Sequence, residues 1–183
     1  MNKQNMLYER FRNTEPSSTL RINEISNKLL DEGKNVYKFG LGQSPFPVPE
    51  ILIETLKKNA HQKDYLNVSG LLKLREVVAK YHSKKNFYNY SEDNVIIGPG
   101  SKELIFQCQM VTEMSVLLPK PSWVSYEPQA KILKKNVNWI ETSKNTNWHL
   151  TANALKNYCK NNKYKNHLLI LNSPNNPLSL IHI

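Results

Sequence analysis

Apolar residues recur along this chain in two rhythms, and the change from one to the other divides it. Between residues 19 and 83 the spacing is helical. Leu20, Ile22, Ile25, Leu29 and Leu30 predict a first helix over 19–32, with Gly33 placed to end it. A short strand is expected at 36–39. The stretch Gly40-Leu-Gly-Gln-Ser-Pro-Phe-Pro-Val-Pro49 holds too many prolines and glycines for a helix or a central strand, so it reads as a rigid extended loop. Pro49 opens the next helix, running to Lys58, because proline suits a first helical turn. Leu71, Leu74, Val78 and Tyr81 then fall on one face of a helix within 70–83.

Beyond residue 91 short apolar runs alternate with helical stretches. Strands are expected at 94–97, 115–118, 137–140 and 167–171, with helices after Gly98-Pro-Gly-Ser101, after Trp123 and after Thr151. Thr151 is a capping residue, and Leu155, Tyr158 and Cys159 are expected to face inward. Strands alternating with helices at these connection lengths predict an α/β layer: a parallel sheet with helices on its faces. The expected organisation is an N-terminal arm and helical segment over 1–90, including the Gly/Pro loop, followed by an α/β domain over 91–183.

Charge changes this picture little. Twenty-five Lys and Arg against 15 Asp and Glu give a net charge of +10, which raises a small nucleic-acid-binding protein as a rival reading. The lysines are dispersed, however. Lys57–Lys58, Lys84–Lys85 and Lys134–Lys135 sit at expected helix ends, where they answer the negative end of the helix dipole. No specific nucleic-acid partner is therefore expected. Cys108 and Cys159 lack CxxC spacing and read as core residues in a reducing compartment. The five histidines show no metal-ligand spacing. Residues 1–11 are polar and no stretch reaches membrane-spanning length, so a cytoplasmic protein without a membrane partner is expected.

Three loops follow expected strands, where open parallel sheets bind ligands. Gly98-Pro-Gly-Ser-Lys102 leaves a strand and opens a helix, so its amides and the Ser101 hydroxyl suit an anion; a plain capped turn is the alternative. Trp123 offers a stacking surface for a flat heteroaromatic ring, or packs under its own helix. Asn176, in Asn172-Ser-Pro-Asn-Asn-Pro177, presents an amide to an oxygen at the strand end, or merely braces the turn.

In this order the segments resemble the class I/II aminotransferase family of fold type I pyridoxal-phosphate (PLP) enzymes, and the likeness runs from the first helix to Pro177. The resemblance implies that Gly42 meets a substrate carboxylate. It implies that Tyr65, in Asp64-Tyr-Leu-Asn-Val-Ser-Gly70 followed by Leu72-Lys-Leu-Arg75, reaches the cofactor phosphate of a neighbouring subunit. Gly100, Ser101 and Lys102 fall on the phosphate-cradling turn, Trp123 on the residue that stacks on the pyridine ring, and Asn176 on the asparagine that hydrogen-bonds its phenolic oxygen. PLP is planar, with a dianionic phosphate and a phenolate, and these loops supply amides, a stacking plane and a donor in turn.

The family pattern stops at Pro177, where Leu178-Ser179 stands in place of Thr-Gly. In the family, the aspartate facing the pyridine nitrogen, the lysine that anchors the cofactor and the arginine that clamps the substrate all come later, so no catalytic residue is assigned. The expectation is an N-terminal, truncated portion of the large PLP-binding domain that binds PLP weakly and is inactive alone, with Leu178 to Ile183 foreign to the family. A full-length relative is expected to be a homodimer that moves an amino group between an amino acid and a 2-oxo acid. A PLP-dependent lyase or synthase on the same fold is the alternative.

Overall fold

The computed structural model describes residues 8–12, 17–42, 44–85, 87–162 and 166–179. The last expected feature, the tail, falls largely outside them, since residues 180–183 are not described. The chain divides into two compact units, Met1–Tyr65 and Leu66–Ile183.

The first unit contains α1 (Glu9–Arg12), α2 (Ser18–Asp31) and α3 (Glu50–Asn59). Gly33, at φ +77°, closes α2: its amide donates to Leu30 O at 2.9 Å, and the Lys34 amide to Leu29 O at 3.0 Å. A Cβ at Gly40 would come within 2.7 Å of Ile22 Cγ2, so that side chain would have to shift to admit one. Pro49 precedes α3 and accepts from the Leu52 and Ile53 amides. The expected strand at 36–39 does not form among the described residues. The segment is extended but has no ladder partner, and Tyr37 and Phe39 are exposed. α2 and α3 bury no residue fully.

The second unit runs α4 (Leu72–Lys85), a 3₁₀ turn (Glu92–Asn94), α5 (Ser101–Val111), β1 (Ser115–Lys120), α6 (Tyr126–Ile132), β2 (Val137–Glu141), a second 3₁₀ turn (Lys144–Thr146), α7 (Ala152–Asn161) and β3 (His167–Leu169). The three strands form a parallel sheet in the order β2-β1-β3, with Val116 opposite both Val137 and Leu168. Ser115 to Pro119 are all buried, as befits a central parallel strand covered on both faces. Val116 and Leu118 meet Tyr126 and Ala130 of α6, with Ile105, Trp123, Val137 and Ile170 packed around them. Thr151 caps α7, its hydroxyl accepting from the Ala154 amide at 3.1 Å. The lysine pairs lie in the last turns of α3 and α4 and just beyond α6, as expected from the helix dipole. Among the described residues no helix is long and apolar enough to cross a membrane.

Three further expectations are corrected. Residues 94–97 are not a strand: they follow the 3₁₀ turn as an extended segment with no ladder among the described residues. On the expected apolar face at and before α4, Leu71, Leu74 and Tyr81 are exposed and Val78 is half-buried, while Arg75 and Ala79, four residues apart, are buried. That helix packs against the Glu92–Asn94 turn, and the contact selects the stripe one position away from the apolar one. Both cysteines are exposed. On α5 the inward residue is Gln109, one turn after Ile105, and Cys108 is rotated off the core by about 100°.

Candidate functional site

The sheet is parallel, so the loops after β1 and β3 leave from the same edge of adjacent strands. What leads into the site begins earlier, at Gly70. Its φ of +98° and its closeness to Ile97, whose Cβ would lie 2.6 Å from an added methyl, admit only glycine. The Ile97 amide donates to Ser69 O at 3.0 Å. Arg75 holds the other end of this segment. Its Nε donates to Glu92 O (3.1 Å) and Val95 O (3.0 Å), and Nη2 donates to Glu92 O (2.8 Å) and reaches Asp93 Oδ1 (3.3 Å). The glycine and arginine of the stretch that carried the resemblance thus fix the chain entering the Gly98–Ser101 turn.

That turn is tight. The Gly100 amide bonds Gly98 O at 2.7 Å, and Gly98 abuts Leu104. Gly100 adopts φ 101° and ψ 153°, and a Cβ there would meet nothing within 4 Å. No side chain caps α5, and its first helical bond comes from Leu104. The amides of Ser101, Lys102 and Glu103 therefore find no acceptor among the described residues. An open cradle, free donors and the positive end of an 11-residue helix coincide there.

Trp123 follows β1. Its indole is half-buried rather than exposed, packed against the core and edge-on to Tyr126 at 5.4 Å. The two readings of this residue combine: the indole rests on its own helix, while Lys102 Nζ lies 5.4 Å from the ring centroid. Lys102 thereby brings the α5 turn and the aromatic together. After β3, Asn172 Oδ1 accepts the Asn176 amide at 2.7 Å and Asn175 Oδ1 accepts the Leu178 amide at 3.2 Å. The bracing of this turn falls to Asn172 and Asn175, and the exposed Asn176 carboxamide is left unengaged among the described residues. Gly42 and Tyr65 belong to the first unit; a Cβ at Gly42 would meet nothing within 4 Å, and Tyr65 is fully exposed.

Arg75, Gln109 and Gln129 were not singled out from sequence. Arg75 carried a signal, being the arginine of the Leu-Arg pair; the two glutamines carried none. Gln129 Nε2 donates to Lys102 O at 2.8 Å, and Gln109 Nε2 to Gln129 Oε1 at 3.2 Å.

Beneath the indole, burial pushes the Tyr126 hydroxyl above its ordinary range. Below about pH 10 the ring is neutral folded and unfolded; above it the unfolded chain ionises first. Stability contributed by the neutral ring is expected to fall as pH rises above about 10. Urea melts between pH 8 and 11 should show that slope flattened in Tyr126→Phe.

Unpaired amides at a helix start, a cradle with room for a group and a half-buried indole bridged by an ammonium fit a flat ring bearing a phosphate. A family model for aminotransferases of class I and II matches residues 28–181. An aspartate aminotransferase of Bacillus sp. (strain YM-2) is 28% identical over 97% of this chain and 46% of its own length. The asparagine–oxo-acid transaminase of Streptococcus mutans is 30% identical, over 92% of this chain and 44% of its own length. Among solved structures, the aspartate aminotransferase of Thermotoga maritima superposes with a TM-score of 0.79 at 27% identity, over 93% of this chain and 46% of its own. That of Rhizobium meliloti gives 0.81 at 24% identity, over 93% and 43%. The chain spans a little under half the length of these relatives. The family match over most of its residues shows that the chain belongs to the class I and II aminotransferases, a PLP-dependent family of fold type I.

Proposed function

We propose that this chain supplies the phosphate-binding and ring-stacking part of a transaminase that moves an amino group between an amino acid and a 2-oxo acid. The observation that carries the reading is the Lys102 ammonium, in the first turn of α5, 5.4 Å from the Trp123 ring centroid. It joins an anion-binding helix start to an aromatic plane. PLP, when bound, supplies the electron sink that lets a Cα–H bond of the amino acid break.

The chain's own residues bind and orient. The Ser101, Lys102 and Glu103 amides and the Ser101 hydroxyl hold the phosphate, and Lys102 adds charge. Trp123, immobilised against Tyr126, fixes the tilt of the ring. Asn176 donates its free amide to the phenolic oxygen. Gly42, in a loop open to close approach, is assigned to the substrate carboxylate, and Tyr65 to the phosphate held by a second subunit of a dimer. The names of the relatives, aspartate and asparagine transaminases, support a donor of the aspartate type. Two exposed thiols suit a reducing compartment such as the cytoplasm.

None of the lysines among these residues is assigned as the covalent anchor; the resemblance puts that residue after the Asn175-Asn-Pro177 turn. Incubation of the chain with PLP, followed by borohydride and intact-mass measurement, tests this. Reversible binding with no stoichiometric label is the expected result. One lysine labelled stoichiometrically would overturn the assignment.

A further inference from the structure

We infer that Gln129 and Gln109 are positioning residues for the anion-binding turn of α5, held in the core for that purpose at the expense of stability. The inference rests on reading that turn as the phosphate end of the site. Gln109 is fully buried and Gln129 is 8% exposed, both unusual for glutamine.

Their orientation is fixed by chemistry. Lys102 O only accepts, so Gln129 presents Nε2 to it at 2.8 Å and turns Oε1 away. Gln109 must then meet that oxygen with its own Nε2, at 3.2 Å. The consequence is that Gln109 Oε1 is buried with no partner. A buried acceptor left unpaired is destabilising, and methionines of similar length in both places would pack there with no acceptor left over, whereas one methionine at 109 would pass the deficit to Gln129 Oε1.

What the pair gains is a tie. It fastens the Lys102–Glu103 peptide plane, whose N–H is one of the free amides of the turn, to α6, the helix on which Trp123 rests. The anion end and the stacking plane are thereby held in one register from inside the core. Free amides at a helix start bind an anion only if they stay aimed together, and supporting contacts of this kind keep a site's donors in place.

The test uses the full chain as wild type, Gln129→Met and Gln109→Met. Binding of PLP and of pyridoxal, which lacks the phosphate, is measured by equilibrium dialysis, alongside thermal melts. For Gln129→Met the PLP Kd is expected to rise about three- to tenfold, the scale of one hydrogen bond, with pyridoxal within about twofold of wild type. Gln109→Met removes its own unpaired Oε1 but leaves Gln129 Oε1 without its donor, so it is expected to melt close to wild type, yet to bind PLP more weakly. Stability held while phosphate-dependent affinity falls is a combination that a merely structural pair would not produce.

Unchanged PLP affinity in both variants overturns the inference, as does an equal loss of PLP and pyridoxal, which would put the damage at the ring. Should Gln129→Met fail to fold, Gln109→Met decides alone on the same two readouts. Wild-type chain that binds PLP no more tightly than pyridoxal would instead sink the reading of the α5 turn as a phosphate site, and the inference with it.

Discussion

Replacing Arg75 by leucine is expected to destabilise the second unit by about 3 kcal/mol and to loosen the segment entering the α5 turn. The guanidinium is buried, 7% exposed, and its donors serve the carbonyls of Glu92 and Val95. Its contact with Asp93 contributes little, because that carboxylate is 88% exposed and screened by water. The loss comes from the carbonyls. With leucine in place, Val95 O loses the Arg75 donor and Glu92 O keeps only the Val95 amide at 3.1 Å, and an acceptor left without its donor costs about 1–3 kcal/mol. Arg75→Lys should fall between wild type and leucine, since an ammonium reaches one carbonyl well but cannot fork across both. Urea unfolding gives the magnitude, and limited proteolysis across residues 92–100 gives the location. A leucine variant within about 0.5 kcal/mol of wild type would mean that water replaces the guanidinium, and that the arginine does not fasten this segment.

The same residue shows where the sequence was legible and where it was not. Arg75 sits in the stretch that carried the family resemblance, yet helical periodicity put Leu71, Leu74 and Tyr81 inward in its stead. Periodicity reports which residues are apolar; the neighbouring element decides which stripe is covered, and a charged donor wins a buried place when carbonyls wait there. The strands at 36–39 and 94–97 failed for a related reason. A strand is a property of a pair, and nothing in Val36–Tyr37 or Ile96–Ile97 tells whether a partner lies alongside. β1, by contrast, was plain, because a continuous apolar run between helices has few other fates in an α/β chain.

Local backbone demands were the most legible of all. Gly33, Gly100 and Thr151 act within a few residues of themselves, so their neighbours in sequence were enough to place them. The positions that carried the resemblance are largely of this kind: glycines at forced turns, an aromatic after a strand, an asparagine in a proline turn. The Gln109–Gln129 pair is the opposite case. Each glutamine alone reads as helix surface, and only the other, twenty residues away, gives it a reason to be inside.

Gly100→Ala is expected to cost about 2 kcal/mol of stability, or to escape that cost by giving up the cradle, and the two outcomes are separable. At φ 101° and ψ 153° the backbone lies in a region that essentially only glycine occupies. The added methyl has room, since nothing lies within 4 Å of it, so the effect is conformational strain and not collision. If the Gly98 O contact and α5 hold the turn in place, alanine bears the strain and the melt falls while PLP affinity changes little more than about twofold. If the turn relaxes, the melt recovers, but the Ser101, Lys102 and Glu103 amides no longer converge. PLP affinity then falls tenfold or more, roughly 1.4 kcal/mol, with pyridoxal much less affected. The second outcome is the expected one, because the single 3.5 Å bond from Leu104 to Gly100 O is a weak restraint on the first turn. Gly42→Ala serves as the control for a methyl added in open space, since Gly42 has neither a neighbour within 4 Å nor a left-handed φ. Its stability should stay within about 0.5 kcal/mol of wild type. A Gly100→Ala chain that keeps both its melt and its PLP affinity would show that this turn is not the anion cradle.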